Sequence, residues 1–109
     1  MEPLQIIGIK GLDEMEIEAV NRVSNRYYGK IQRQIKKINS LAVHIKSYEK
    51  EGSQKKYSIH VKLIAPARIF VSTKAFDWDL ERTLHKSFRD IIRQLKHSLH
   101  TDDQHKKGR

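Results

Sequence analysis

The apolar positions of this chain change period three times, and the changes divide it into elements. A short apolar run, "LQIIGIKG", is closed by Gly11 and predicts a first strand. The spacing then lengthens. Ile17, Val20, Tyr27, Ile31, Ile35 and Ile38 recur at three- and four-residue steps, which places them on one stripe of a helix. Asp13 is its expected N-cap, and Glu14, Glu16 and Glu18 suit the positive end of the helix dipole. Asn39 and Ser40 are expected to end it. Gly29 lies inside this helix at a cost of about 1 kcal/mol relative to Ala, which suggests a bend or a close backbone approach.

From Leu41 the period drops to two. Leu41, Val43 and Ile45 alternate with Ala42, His44 and Lys46; Tyr57, Ile59, Val61 and Leu63 alternate with Ser58, His60 and Lys62. The polar stretch "EKEGSQKK" predicts a turn around Gly52 between them, and Pro66 in "APA" predicts another turn or a bulge. In "RIFVSTK", Ile69 and Val71 are read as core residues, leaving Phe70 on the opposite face with Ile64. There it is either an exposed stacking platform or, as is commoner, a buried or edge-packed ring. A second amphipathic helix follows an N-cap at Asp79, with Leu80, Leu84, Phe88, Ile91, Ile92, Leu95 and Leu99 as its stripe. The order is β-α-β-β-β-α. It predicts an α+β fold, with a four-stranded sheet carrying two helices packed on one face. Residues 1–100 are expected to form a single domain, and 101–109, "TDDQHKKGR", a flexible basic tail.

Charge alters this otherwise ordinary picture. Among 109 residues there are 22 Lys and Arg against 13 Asp and Glu, a formal net charge of +9. That field favours phosphate-rich partners or an anionic surface. "RVSNRYYGKIQRQIKK" holds six basic residues and no acid. Arg22, Arg26, Lys30, Arg33 and Lys37 form one ridge of the first helix, away from its apolar stripe. Arg82, Lys86, Arg89, Arg93 and Lys96 do the same on the second. A face built only for solubility interleaves Glu with Lys at i, i+4. Two one-signed ridges on one side of a sheet instead suit a phosphate backbone, where each cation releases a counterion and arginine adds bidentate geometry. Aromatic residues are too few for a base-stacking sheet, so backbone and shape are the expected determinants.

Other chemistry finds little support. There are no cysteines, hence no disulfide or thiolate site, which fits a reducing compartment such as the cytoplasm. "MEPLQIIGIK" does not read as a signal peptide, and no apolar run approaches a membrane span. His44 with His60, and His97 with His100, make two pairs without a third ligand; His85 and His105 stand apart. Asp77 and Asp79 read as turn and cap. No phosphate-cradling glycine loop, nucleophile motif or cofactor fingerprint is present. The expectation is a non-enzyme with no metal, cofactor or small-molecule substrate.

Several segments resemble one known family. "IIGIKG" before an acid-capped helix, "KKINSLAVHIKSYEK", "YSIHVKL" and "DWDLERTLHKSFRDIIRQLKH" together resemble the ribosome hibernation promoting factors, also called ribosome-associated inhibitor A or protein Y. The likeness spans about Gln5 to His100. The "IAPAR" connection and Gly29 depart from the family's pattern. The resemblance implies a double-stranded-RNA-binding-domain-like fold. It also implies a stress protein that occupies the messenger and transfer RNA channel of the small ribosomal subunit, contacts its rRNA, and blocks translation. It further implies the short, single-domain form, bound as a monomer without the second domain that pairs ribosomes in longer members. Two alternatives from the residues themselves are a general structured-RNA or double-stranded-RNA binder, and a protein-interaction module using the sheet face around Phe70, Ile64 and His44.

Overall fold

The computed structural model describes residues 3–49 and 55–107. The elements are β1 (Leu4–Ile7), a 3₁₀ turn (Ile9–Gly11), α1 (Glu14–Gln32), β2 (Ser40–Glu49), β3 (Lys55–Ala65), β4 (Arg68–Asp77) and α2 (Leu80–Lys107). The fold is α+β, as the periodicity predicts. The turn around Gly52 falls outside the described residues.

The four strands form one mixed sheet in the order β1-β2-β3-β4. β1 pairs parallel with β2 through α1, while β2, β3 and β4 pair antiparallel. One face of this sheet and one stripe of each helix make a single core. Leu41, Val43, Ile59, Val61 and Leu63 from the sheet meet Val20, Val23 and Ile31 of α1 and Leu84, Phe88 and Ile91 of α2. Both helices therefore cover the same face.

The helix starts are chemically determined. Asp13 accepts the Glu16 N–H at 2.8 Å while Glu16 accepts the Asp13 N–H at 2.9 Å, a complete capping box. Glu16 also accepts from the Tyr57 hydroxyl and from Lys55, which ties α1 to β3. Burial pushes the Glu16 carboxyl up, but Tyr57, the Asp13 N–H and Lys55 together hold it below the usual carboxylate range. Asp79 caps α2 by accepting the Arg82 N–H at 3.1 Å.

Two features differ from the sequence expectation because tertiary pairing decides them. α1 stops at Gln32 with Arg33 as its C-cap, several residues before Asn39. The chain must turn there to seat Ile38 in the core and bring the Asn39 N–H to the Ile64 carbonyl at 2.8 Å. β4 also shows the opposite face to the one its apolar pattern suggests. A two-residue turn, with Pro66 presetting its own φ and Ala67 at φ 67°, aligns Leu63 with Phe70. Phe70 is therefore 8% exposed in the core, while Ile69 is 60% exposed on the open face. A one-residue change of register exchanges the faces of a strand. Farther along, Val61 faces Ser72 but Ile59 faces Ala75, so β4 carries one extra residue opposite His60. This bulge returns Ala75 to the core, and the Ser87 hydroxyl donates to the Ile59 carbonyl beside it at 3.3 Å.

α2 continues as helix to Lys107, through most of the stretch assigned to a tail. No Gly or Pro interrupts it before Gly108. The side chains of Leu99, His100 and His105 lie outside the described set.

Of the two glycines that matter, Gly8 is the constrained one. It sits at φ 96° against β2, and a Cβ there would overlap the Ile45 carbonyl oxygen. Gly29 has only open space around it, so no close approach requires it. Gly29→Ala is expected to stabilise the fold by about 0.5–1 kcal/mol. A urea titration should show a higher midpoint with an unchanged slope; a lower midpoint would mean that α1 needs a residue without Cβ at this point.

Candidate nucleic-acid interface

The strand order sets the direction of both helices. β2 and β4 run the same way, each helix packs back across the sheet, and α1 and α2 therefore run parallel. Contacts between them advance together: Arg22 Nη2 with Glu81 Oε2 at 3.2 Å, then Tyr27 with His85 and Phe88, then Lys30 and Arg33 beside Arg89 and Lys96. Tyr27 and Phe88 stack with ring centroids 4.8 Å apart and planes 5° apart, which fixes the spacing of the helices at mid-length.

Parallel helices place both acidic starts at one end. Asp13 and Glu16 share a recess there with Asp77, Asp79 and Glu81. The first members of each basic ridge lie next to these acids and are paired with them. Arg22 bonds Glu18 at 3.3 Å as well as Glu81. Lys86 bonds Asp77 at 2.9 Å, with Arg82 at 4.0 Å from the same carboxylate. Lys86 and the Trp78 and Asp79 N–H groups hold the Asp77 carboxyl below its ordinary range, against a smaller opposing effect of burial. The ridges are thus one-signed in sequence but partly neutralised in space.

Toward the other end four of the cations have no acidic partner among the described residues. Lys30, Arg33, Arg89 and Lys96, with Gln34, line a groove of about 430 Å³ whose floor includes Tyr27 and Ile92. Among the described residues none of these four forms an ion pair; Lys30 Nζ lies 5.1 Å from the Tyr27 ring centroid. Arg26 is exposed on the α1 flank. Arg93 is exposed on the outer shoulder of α2, 3.8 Å from Asp90. Lys37 is exposed but lies beyond the end of α1, so it is not part of the helical ridge and does not line the groove. Of the ten ridge positions, four converge, three are tied to acids at the helix starts, and three flank the groove or lie past it.

Such an arrangement offers several cationic donors, two of them guanidinium forks, to an anion too extended for a single pocket. That geometry fits successive phosphates of a nucleic-acid backbone. Periodicity could not identify Gln34 or His85 as neighbours of this groove, since that depends on how the helices pair. The open sheet face differs in character. His44 and His60 are direct cross-strand partners, Lys46 and Lys62 lie on the same face, and Ile69 and Val71 are exposed beside them.

Among the described residues no group of His, Cys, Asp and Glu is arranged to hold a metal ion, and no helix is long and apolar enough to cross a membrane. Compared with known families and curated proteins, the chain matches no family model and no curated sequence.

Proposed function

We propose that this protein is a ribosome-associated translation inhibitor of the hibernation type. It acts in the cytoplasm, binds rRNA of the small subunit through the groove between α1 and α2, and blocks the messenger and transfer RNA channel by occupying it. The observation that carries this reading is the convergence of Lys30, Arg33, Arg89 and Lys96 on one groove with no acidic partner among the described residues. The segmental resemblance to hibernation factors supports the ribosome as the source of the RNA. The mechanism needs no turnover, no cofactor and no second copy of the chain, so inhibition should level off near one protein per ribosome.

Sedimentation of a cell lysate through sucrose tests the target: the protein should travel with the small subunit. A filter-binding titration tests the chemistry. With about four phosphates neutralised, the slope of log affinity against log salt should be on the order of −3 to −4, and a slope near zero would reject the groove. Equal affinity for free duplex RNA and for ribosomes would favour the broader reading of a structured-RNA binder, for which the same groove would serve.

A further inference from the structure

His85 belongs to none of the ridges, yet it lies between them. It is half-buried on α2, one turn before Arg89. Its Nδ1 is 2.6 Å from the Tyr27 hydroxyl oxygen, and its ring meets the Tyr27 ring edge-on at 5.4 Å and 70°. With Asp79, Glu81, Arg82, Lys86 and Arg89 it lines a second recess of about 660 Å³, and Arg89 also lines the groove. We propose that His85 is a phosphate-binding residue of this interface and that it takes up a proton when an RNA phosphate settles in this recess beside Arg89, so that RNA is held more tightly as pH falls below neutrality. This rests on the reading that the α1–α2 surface binds RNA.

The geometry supplies each part. Tyr27 is buried and its hydroxyl fixes the orientation of the imidazole. With Tyr27 donating to Nδ1, the neutral ring carries its hydrogen on Nε2. The charged groups acting on it are Arg26 and Lys30 from α1, and Glu81 and Arg89 from α2, with Asp79, Arg82 and Lys86 sharing its recess. Burial first, then Arg89, with Arg26 and Lys30 adding to it and Glu81 opposing, holds the imidazole below its ordinary range. In the free protein His85 is therefore neutral near pH 7. A phosphate at this place reverses the local field and supplies an acceptor for a ring N–H. The charged form becomes favoured, and the proton comes from solvent. By linkage, a group whose pKa is higher in the complex makes binding stronger as pH falls, up to about tenfold per pH unit for one proton fully taken up.

The test uses the full chain, a fluorescently labelled RNA hairpin and constant ionic strength, with anisotropy measured at about pH 7.5 and about pH 5.5. The unmodified protein should gain at least about tenfold more affinity on acidification than His85→Gln, which keeps the other five histidines. His85→Lys should bind tightly at both pH values and lose most of the dependence. Calorimetry of the unmodified protein at about pH 6.5, in two buffers of different ionisation enthalpy, should register proton uptake on RNA binding. This second measurement does not depend on a variant folding. Equal pH dependence in the unmodified protein and His85→Gln, or no proton uptake while RNA still binds, would overturn the role of His85 and leave the groove standing. Absence of RNA binding at either pH in low salt would remove both.

Discussion

Reversing Arg33, Arg89 and Lys96 to glutamate should reduce RNA affinity by on the order of 10²–10³ near 0.1 M salt, since each phosphate contact contributes roughly 0.9 of a log unit there through counterion release. The three are chosen because they line the groove, are exposed, and form no ion pair among the described residues. Lys30 is left in place, since its ammonium lies over the Tyr27 ring and its loss would mix a packing effect with a charge effect. The comparison is Lys10, Lys46 and Lys62 to glutamate, three exposed positions away from the groove that change net charge equally. If binding followed net charge alone, both triples would fail together. If the groove carries it, the second triple should keep most of the affinity. Both sets are solvent-facing, where substitutions usually shift stability by about 0.5 kcal/mol or less, so circular dichroism melts should stay close to the parent. A larger loss from the second triple would move the interface to the sheet face and revive the interaction-module reading.

Phe88→Ala should cost about 3–5 kcal/mol, a large fraction of the total stability of a domain this size. Phe88 is fully buried and stacks in parallel on Tyr27. Truncation leaves a cavity between two helices and the sheet, and the rigid Tyr27 ring, tethered to His85, cannot collapse into it. The thermal midpoint should fall by roughly 15 °C or more. Phe88→Leu, which keeps most of the volume, should cost much less. A loss below about 1 kcal/mol for the alanine variant would show that the helices are held together elsewhere.

Much of the architecture was legible because burial on one side leaves a clean period. Leu41, Val43 and Ile45, and Tyr57, Ile59, Val61 and Leu63, point inward as their alternation predicts. Asp13 and Asp79 cap their helices because each precedes a strong apolar stripe and has the side chain for it. β4 defeated the same reasoning. Ile69 and Val71 are apolar yet exposed, and only the Pro66–Ala67 turn and the bulge opposite His60 determine which residues face in. Both depend on a partner strand that a local pattern does not contain. The basic ridges were equally plain in spacing. Which of their members are free was not, because Glu81 and Asp77 come from other turns and other elements to pair with Arg22, Arg82 and Lys86. The end of α1 was set by where β2 must begin, so Lys37 left the ridge that its spacing assigned it to.

The parallel course of α1 and α2 has a kinetic consequence. A connection that set them antiparallel would have put acid beside base at both ends and cancelled the asymmetry. Here Asp13, Glu16, Asp79 and Glu81 gather at one end, while Arg33, Arg89 and Lys96 stand toward the other. The α1–α2 surface is consequently polarised along its length, on a chain of formal net charge +9. Near a polyanion, a net charge speeds approach but leaves the angle of arrival to chance. A dipole adds a torque that turns the cationic end forward before contact, within about a Debye length of roughly 8–10 Å at ordinary ionic strength. Fewer collisions are then wasted on wrong orientations, and the acidic end is repelled from surfaces it would otherwise block.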